Sequence, residues 1–534
     1  MLDVTTLFAL IAVVLTVSGL VSGLIERAPL SFPIIFLGLG FLFGSTGVIE
    51  LGPHSQALQA IGFLVLALVL FLDAQRLEAS VLRAAGWTPM LSLGPGTIIT
   101  IAIVAVAAHF LLALSMIESL IVGTVLASTD PIVLRDVVRN RRLPRAVREA
   151  LSIEAGTNDI VVLPLLLVLI AVAKAEAMSA PDWLMFVGQV FVLGPVIGFV
   201  IGAAGAWMMS KADGAFGIRR EHQALYGIGL VLLAFSTAQW VGADGFLASF
   251  AAGLAVALLN INLCDCFLDY GETTAEAAML LAFVLFGAVI SQIVSQFPVG
   301  TALLLACVAL LLARPLAIGL ALRRAAISWQ ARVFIGWFGP RGLNSMLLAL
   351  LVLHARVPHA EYLLAIVGVV VTISVIAHGV TATPLSALYA HTVEDKTLAE
   401  ERGGNAAELF GKRGDDPPRI PAAELAHRLE SEQPPLVLDV RTRSQYRLDH
   451  TKIPGSIRVL PDDIDDWAEQ HLPSSAVDAR SIIAYCTCPD DATSMAAARR
   501  LKKKGLEAAV LAGGFEAWKA KYAVEAIEAE PVLA

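Results

Sequence analysis

Charge is what this chain has least of. Only 16% of its 534 residues are Asp, Glu, Lys or Arg, against 57% hydrophobic, and the mean hydropathy is +0.74. So little charge excludes an ordinary soluble globular fold for most of the chain and leaves an integral membrane protein. The formal net charge of -8 adds little, because charge in such proteins counts loop by loop. Cysteine is scarce as well: the five present do not follow the pattern of a small secreted domain, which excludes a disulfide framework. A basic leader and an A-x-A cleavage site are both missing at the start, so the first apolar run reads as a span rather than a removable signal.

What is present is a series of apolar stretches of about 20 residues, the length that crosses a bilayer as a helix. Thirteen are expected, near 4–25, 30–48, 57–75, 90–113, 117–136, 146–172, 183–209, 222–241, 244–260, 273–294, 299–321, 330–354 and 360–384. One alternate set of loops holds Arg27, Arg76, Arg83, the cluster from Arg135 to Arg148, Lys211, Arg219, Arg220, Arg323, Arg324 and Arg332. The other set holds only Lys174 and Arg356. Basic loops stay on the cytoplasmic side, which places the N-terminus outside and the long C-terminal segment in the cytoplasm of a cell-membrane protein. The loop 261–272 departs from its set: it carries Asp265, Asp269 and Glu272 and no basic residue, either as a solvated loop or as a patch that draws cations.

Residues 117–172 organise the rest. The fifth stretch contains STDPIV, with Asp130 directly before Pro131. Proline removes a backbone donor and disfavours helical geometry in the residue before it, so this helix is expected to open at Thr129 and Asp130. The twelfth stretch contains GWFGPRG, a second break, at Gly339 and Pro340, followed by Arg341. Two interrupted spans lying seven apart run in opposite directions, the sequence pointer to inverted repeats and a midplane binding site in a secondary transporter. The sixth stretch adds LSIEAGTND, in which Glu154 and Asn158 share a helix face and Asp159 points about 100° round from Asn158. Intramembrane acids mark functional sites by default. Arg341, at matching depth, is expected to pair with Glu154 and leave Asp159 free; Arg314, beside Pro315, competes from nearer the cytosolic side. A poorly solvated carboxylate of this kind holds a proton or, with Asp130, the Thr129 hydroxyl and carbonyls freed at the break, a hard monovalent cation.

The STDP of the fifth span, the E-x-x-x-N-D of the sixth and the G-P-R-G of the twelfth together resemble the monovalent cation/proton antiporters, in the sodium/proton exchanger branch with Asn-Asp in span 6. The resemblance covers residues 1–385 and implies a homodimer in which a transport domain moves against a scaffold. It implies that Asp159 is the essential carboxylate, that Asp130, Thr129 and Asn158 surround the ion, with Na⁺ held by Asp159, Asp130 and Thr129, and that Glu154 pairs with Arg341. It further implies exchange of Na⁺, Li⁺ or K⁺ for H⁺, with a role in pH homeostasis, and neither a cofactor nor a nucleic-acid partner. Span 10 has no lysine, in agreement with the electroneutral members. Two departures stand out: Ala155 replaces a serine common in the branch, and Asp73 stands where some relatives have glutamate, lining the cytosolic approach or pairing with Arg76.

After residue 385 the composition turns polar, and 386–419 reads as a cytosolic linker. Residues 420–526 then alternate strand candidates (PLVLDV, SIIAYC, LEAAVL) with helical patterns, as in a small parallel α/β domain. LDVRTRSQY, KIPGSI, YCTCPDDATS and GGFEAW, in that order, resemble the rhodanese family. The resemblance makes Cys486 the position of the sulfur nucleophile, with Cys488 as a resolving thiol, and gives Asp439 and Arg441 a structural part. Asp490 and Asp491 would repel an anionic sulfur donor, so a regulatory module and an active sulfurtransferase both stay open. Cys264 and Cys266 form a second C-x-C. The expected whole is an all-α polytopic membrane protein of thirteen helices with inverted repeats and two broken helices, followed by a small rhodanese-like α/β domain.

Overall fold

The computed structural model describes residues 4–25, 31–76, 88–140, 143–174, 179–260, 263, 266–294, 299–324, 327–395, 417–431, 433–441, 446, 449–459, 464, 467–468, 481–487 and 491–527. Cys488, Asp490, Cys264 and Asp265 lie outside these residues, as do the side chains of Asp269, Glu272 and Arg76. The chain divides into two compact units, Met1–Lys412 and Arg413–Ala534.

The first unit is helical. Its elements are α1 (Val4–Ile25), α2 (Phe32–Ser45), α3 (Gln56–Arg76), α4 (Thr88–Leu112), α5 (Met116–Ala127), α6 (Pro131–Arg139), α7 (Arg145–Lys174), α8 (Ala180–Val187), α9 (Gly194–Phe216), α10 (Arg220–Trp240), α11 (Gly245–Leu259), α12 (Glu272–Ile293), α13 (Val299–Cys307), α14 (Arg314–Ala321), α15 (Trp329–Trp337), α16 (Leu343–His354) and α17 (Ala360–Asp395). Among the described residues seven helices are long and apolar enough to cross a membrane, and five shorter helices are also apolar. The helix α8 joins α9, and α13 joins α14, through single π-helical stretches at Gly188–Leu193 and Val308–Ala313. Each stretch runs up to an X-Pro pair, Gly194-Pro195 or Arg314-Pro315, where the missing N–H makes the hydrogen-bond ladder slip by one residue.

Two groups of helices emerge from the packing: α2, α3 and α9–α12 on one side, and α4–α7 with α13–α17 on the other. Within the first, α2 lies on α12 and α3 lies on α11. A Cβ at Gly40 would come within 2.0 Å of the Val284 carbonyl oxygen, and one at Gly253 within 2.5 Å of the Phe71 carbonyl oxygen. Without side chains there, the backbones come close enough for dispersion to hold helices that lipid cannot press together. Between the groups, Arg135 of α6 donates to Glu276 of α12 over 2.7 Å, and His54 meets Glu361 of α17 at 2.8 Å. The first pair involves α6, and the second lies near the start of α5, where His359 meets Glu118 at 2.7 Å. The helix α17 continues to Asp395, ten residues past the expected end of the apolar domain; no glycine interrupts 380–395, and Pro384 is accommodated within the helix.

The second unit holds a five-stranded parallel sheet in the order β1 (Arg419–Ile420), β6 (Ala508–Leu511), β5 (Ile482–Tyr485), β2 (Leu436–Asp439), β4 (Ile457–Arg458). A small antiparallel pair, β3 (Thr451–Lys452) and β7 (Glu525–Ala526), stands apart. Helices α18 (Ala422–Leu429), α19 (Ala492–Lys503) and α20 (Gly514–Lys519) complete it. Successive strand residues feed opposite cores: Leu438 and Ala484 pack with Leu501 of α19, and Val437 and Ile483 with Leu425 of α18 and Phe515 of α20. That is the burial pattern of a parallel sheet covered on both faces.

Candidate functional site

The helix expected to open near Thr129 and Asp130 does so over residues 128–130, between α5 and α6. Its counterpart opens over 338–342, between α15 and α16. Opened backbone at membrane depth leaves N–H and C=O groups that need partners inside the protein. The two breaks supply each other. The Asp130 N–H donates to the Pro340 carbonyl over 2.9 Å, and the Leu343 N–H at the start of α16 donates to Asp130 Oδ2 over 2.7 Å. The carboxylate thus sits at the positive end of a helix. Gly342 makes room for it, since a Cβ there would lie 1.9 Å from Asp130 Oδ2.

Arg341 is fully buried and turns to the other break, where its Nη1 donates to the carbonyls of Ala127 (2.7 Å) and Ser128 (3.2 Å). Its own N–H donates to Ser374 Oγ over 2.6 Å. The expected pair of Glu154 with Arg341 is therefore corrected: Glu154 is held in a two-pronged ion pair by Arg314, at 2.6 Å (Nη1 to Oε1) and 2.5 Å (Nη2 to Oε2). Arg314 also donates to the Phe338 carbonyl over 2.9 Å. The reason is space. A Cβ at Gly339 would meet Arg314 Nε at 1.7 Å, so the absence of a side chain at the second break lets this guanidinium reach Glu154 while Arg341 satisfies freed carbonyls.

Asn158 Nδ2 donates to the Ala127 carbonyl (2.7 Å) and to Thr129 Oγ1 (3.3 Å), tying α7 to the first break. Its Oδ1 is buried without a hydrogen-bond partner. Asp159, buried one residue on, meets two neutral donors: the Ser128 hydroxyl to Oδ1 (2.9 Å) and the Asn344 amide to Oδ2 (3.0 Å). Among the described residues no basic side chain forms an ion pair with it. The structure thus brings Asp159, Asp130, Thr129 and Asn158 together, with Glu154 joined to Arg314 alongside and Ala155 buried next to it. Asp73 is fully buried on α3, which packs on both α7 and α16. Sequence reasoning missed Ser128 and Asn344; each is a small polar residue within three positions of a break, which was the available signal.

A buried acid between two crossing interrupted helices is the arrangement in which a secondary transporter holds an ion. The profile described as "Sodium/hydrogen exchanger, transmembrane" matches residues 10–388. The chain belongs to the sodium/hydrogen exchanger family. It is thus a multi-pass membrane cation/proton antiporter, and a "Rhodanese-like domain" profile matches residues 421–521. The exchanger is 27% identical over 419 residues to the K(+)/H(+) antiporter NhaP2 of Shewanella oneidensis, across 77% of this chain and 71% of that one. It is 25% identical over 361 residues to the K(+)/H(+) antiporter NhaP of Alkalimonas amylolytica, across 66% and 61%. The structure of the sodium proton antiporter MjNhaP1 from Methanocaldococcus jannaschii at pH 8 is similar in fold, with a TM-score of 0.60 and 21% identity, over 72% of this chain and 99% of that one.

In the rhodanese-like domain Cys486 follows β5 directly and is fully buried, with the Ser494 hydroxyl 3.6 Å from its sulfur. The Phe515 N–H donates to the Cys486 carbonyl (2.9 Å), and a Cβ at Gly514 would lie 2.2 Å from that oxygen. Asp491 accepts from the Gly513 N–H over 3.2 Å, so it braces the Gly-Gly turn. Asp439 and Arg441 form a buried ion pair at 2.6 Å, joined by the Tyr485 hydroxyl, which donates to Asp439 Oδ2 over 2.9 Å. Burial, and after it the Asp439 charge, push the Tyr485 phenol well above its ordinary range.

Proposed function

We propose that the exchanger carries Na⁺, K⁺ or Li⁺ against H⁺ at Asp159, one for one and therefore electroneutrally. The observation that carries this reading is the Asp159 carboxylate itself, buried between two crossing helix breaks and, among the described residues, hydrogen-bonded by neutral donors alone, at 2.9 and 3.0 Å. A carboxylate so placed takes a proton or a cation in turn, and alternate exposure of the filled site to the two sides gives exchange. The names of the Shewanella and Alkalimonas relatives put K⁺ beside Na⁺ as a leading substrate, and that of the Methanocaldococcus structure supports Na⁺. Thr129, Asn158 and Asp130 complete the ion's surroundings in this reading, and Asp73 lines the cytosolic approach.

Thirteen spans arranged as inverted repeats fit the packing of α2 on α12 and α3 on α11, since spans seven apart exchange these two pairs. The loop arginines support a cell membrane location, with the N-terminus outside and the tail in the cytoplasm. A homodimer would cover part of the apolar face of α8 and α9, where Leu184, Val196, Phe199 and Trp207 are exposed. In this reading the tail serves as a thiol-responsive regulator: Cys486 is fully buried, whereas a sulfurtransferase nucleophile is an accessible thiolate.

Everted vesicles carrying a preset acid-inside gradient test the transport reading. Na⁺, Li⁺ and K⁺ are added in turn; wild type should collapse the gradient with at least one of them, Asp159→Asn should not, and Cys486→Ser should. Full exchange by Asp159→Asn sinks the site assignment. Thiosulfate:cyanide turnover by the tail would overturn its regulatory assignment.

A further inference from the structure

Each Asp159 oxygen has a different neighbour. Oδ1 faces a hydroxyl, Ser128 Oγ at 2.9 Å, and Oδ2 faces an amide nitrogen, Asn344 Nδ2 at 3.0 Å. A hydroxyl donates or accepts as its hydrogen rotates, but an amide nitrogen only donates. Oδ2 therefore has to remain an acceptor in both charge states of the acid, and a proton arriving at Asp159 has its place on Oδ1, received by Ser128 as acceptor. The same asymmetry bears on a cation. The positive end of the Asn344 amide faces Oδ2 and repels a metal ion there, whereas the Ser128 oxygen presents lone pairs beside Oδ1.

We infer that Asn344 and Ser128 are positioning residues that confine the proton and the alkali cation to one oxygen of Asp159, Oδ1, so that the two exclude each other. The inference rests on the proposed reading of Asp159 as the exchangeable acid and says how its selectivity between proton and cation is set. Asn344 blocks one oxygen; Ser128 serves whichever ion occupies the other. Both residues belong to the breaks rather than to α7: Ser128 is the first residue after α5, and Asn344 is the second residue of α16. Any shift of the crossing against α7 alters the competition.

Other charges act on the site. Asp130 acts electrostatically on Asp159 from the first break. Arg341 lies on that break's carbonyls, and the Arg314–Glu154 pair lies one turn back along α7. Of the other helices packed on α7, α3 carries Asp73 and Arg76, α4 only His109, α5 only Glu118, α6 Arg135, Asp136 and Arg139, and α15 only Arg332. None of these groups is altered by replacing Ser128 or Asn344, so the two substitutions isolate the effect.

The test uses the full chain in proteoliposomes, with exchange rates for Na⁺ and K⁺ measured from pH 6 to 9. In Asn344→Ala the charged carboxylate loses a donor, and in Ser128→Ala it loses a charge-assisted donor worth more than the acceptor that the protonated acid loses, so in both the proton is held more tightly. Half-maximal exchange should move up by about 1 pH unit, and the cation KM at fixed pH should rise roughly tenfold with kcat little changed. Ser128→Thr, which keeps the hydroxyl, should restore the wild-type profile. Melting curves in detergent show whether each variant is folded. Folded Asn344→Ala and Ser128→Ala with unmoved pH profiles and KM values, or with a lower kcat alone, overturn the inference, as does a shift in Ser128→Thr equal to that of Ser128→Ala. Asp159→Asn separates the two levels: if it still exchanges, the underlying reading fails; if it is dead while the other variants keep the wild-type profile, only the present inference fails.

Discussion

Leu343 donates its backbone N–H to Oδ2 of Asp130 over 2.7 Å, so a carboxylate from one interrupted helix caps the helix that restarts in the other. Asp130 is thereby engaged with a helix terminus, while Asp159, among the described residues, hydrogen-bonds only with the side chains of Ser128 and Asn344. The division separates two acids that look equivalent in sequence: one organises the crossing, and the other, in the proposed reading, exchanges its partner.

Removing the cap should weaken the crossing. Asp130→Ala leaves the Leu343 amide buried without an acceptor, a loss of about 1–3 kcal/mol. Asp130→Asn keeps an oxygen for that amide but gives up the charge at the helix terminus, so its loss should be smaller. Thermal unfolding of the purified chain in detergent should rank wild type, Asp130→Asn and Asp130→Ala in that order.

Gly342→Ala places a methyl group 1.9 Å from Asp130 Oδ2. The nearest atoms all belong to the Asp130 side chain, whose Oδ2 is held by the Leu343 N–H, so overpacking should cost about 1–3 kcal/mol. Exchange should fall with it. A Gly342→Ala protein with wild-type melting temperature and rate would mean that the breaks do not cross as described.

Arg314 and Glu154 are both almost entirely buried, with side-chain exposures of 4% and 5%. Removing one partner strands the other charge, at a cost of about 3–5 kcal/mol, whereas replacing both with neutral groups of similar size should recover much of it. Arg314→Met and Glu154→Gln should each melt early, and the double variant should melt later than either. If Glu154→Gln couples to Arg341→Met instead of to Arg314→Met, the ion-pair assignment is wrong.

The tail should show a distinct alkaline weakness. In the unfolded chain Tyr485 ionises at about pH 10, but in the fold burial and the Asp439 charge hold it protonated to higher pH. Above that point the unfolded state binds fewer protons than the native state, so stability falls by about 1.4 kcal/mol per pH unit until the native group also titrates. Below it the contribution is complete. Denaturant unfolding of segment 413–534 between pH 8 and 11 should show this slope, and Tyr485→Phe should flatten it.

The breaks were legible because Pro131 and Pro340 coincide with ionisable residues, Asp130 and Arg341, in otherwise apolar runs; proline alone does not decide it, since Pro384 stays within α17 and Pro164 within α7. The depth of Asp159 was legible for a similar reason, since a carboxylate in an apolar run declares itself. The partner of Glu154 was not. Depth along a helix favours Arg341 over Arg314 but says nothing of direction round the axis, and the gap at Gly339 that admits Arg314 exists only after two helices have packed. Ser128 and Asn344 were missed because a serine or asparagine in an apolar run is cheap to bury when the backbone around it is open, so neither stands out by its cost. The tail's strands and helices were readable from alternation alone, but the brace between Asp491 and Gly513 joins residues 22 positions apart through a turn that no pattern announces.

The mutual bonding of the two breaks has a mechanical consequence. Because Asp130 and Pro340 satisfy each other's backbone, pulling the half-helices apart would strand polar groups where no water can reach them. The crossing is therefore a poor hinge and a good cartridge: α5, α6, α15 and α16 should travel together. The yielding surfaces are then the contacts with α3 and α12, where a single pair such as Arg135–Glu276 can be unfastened.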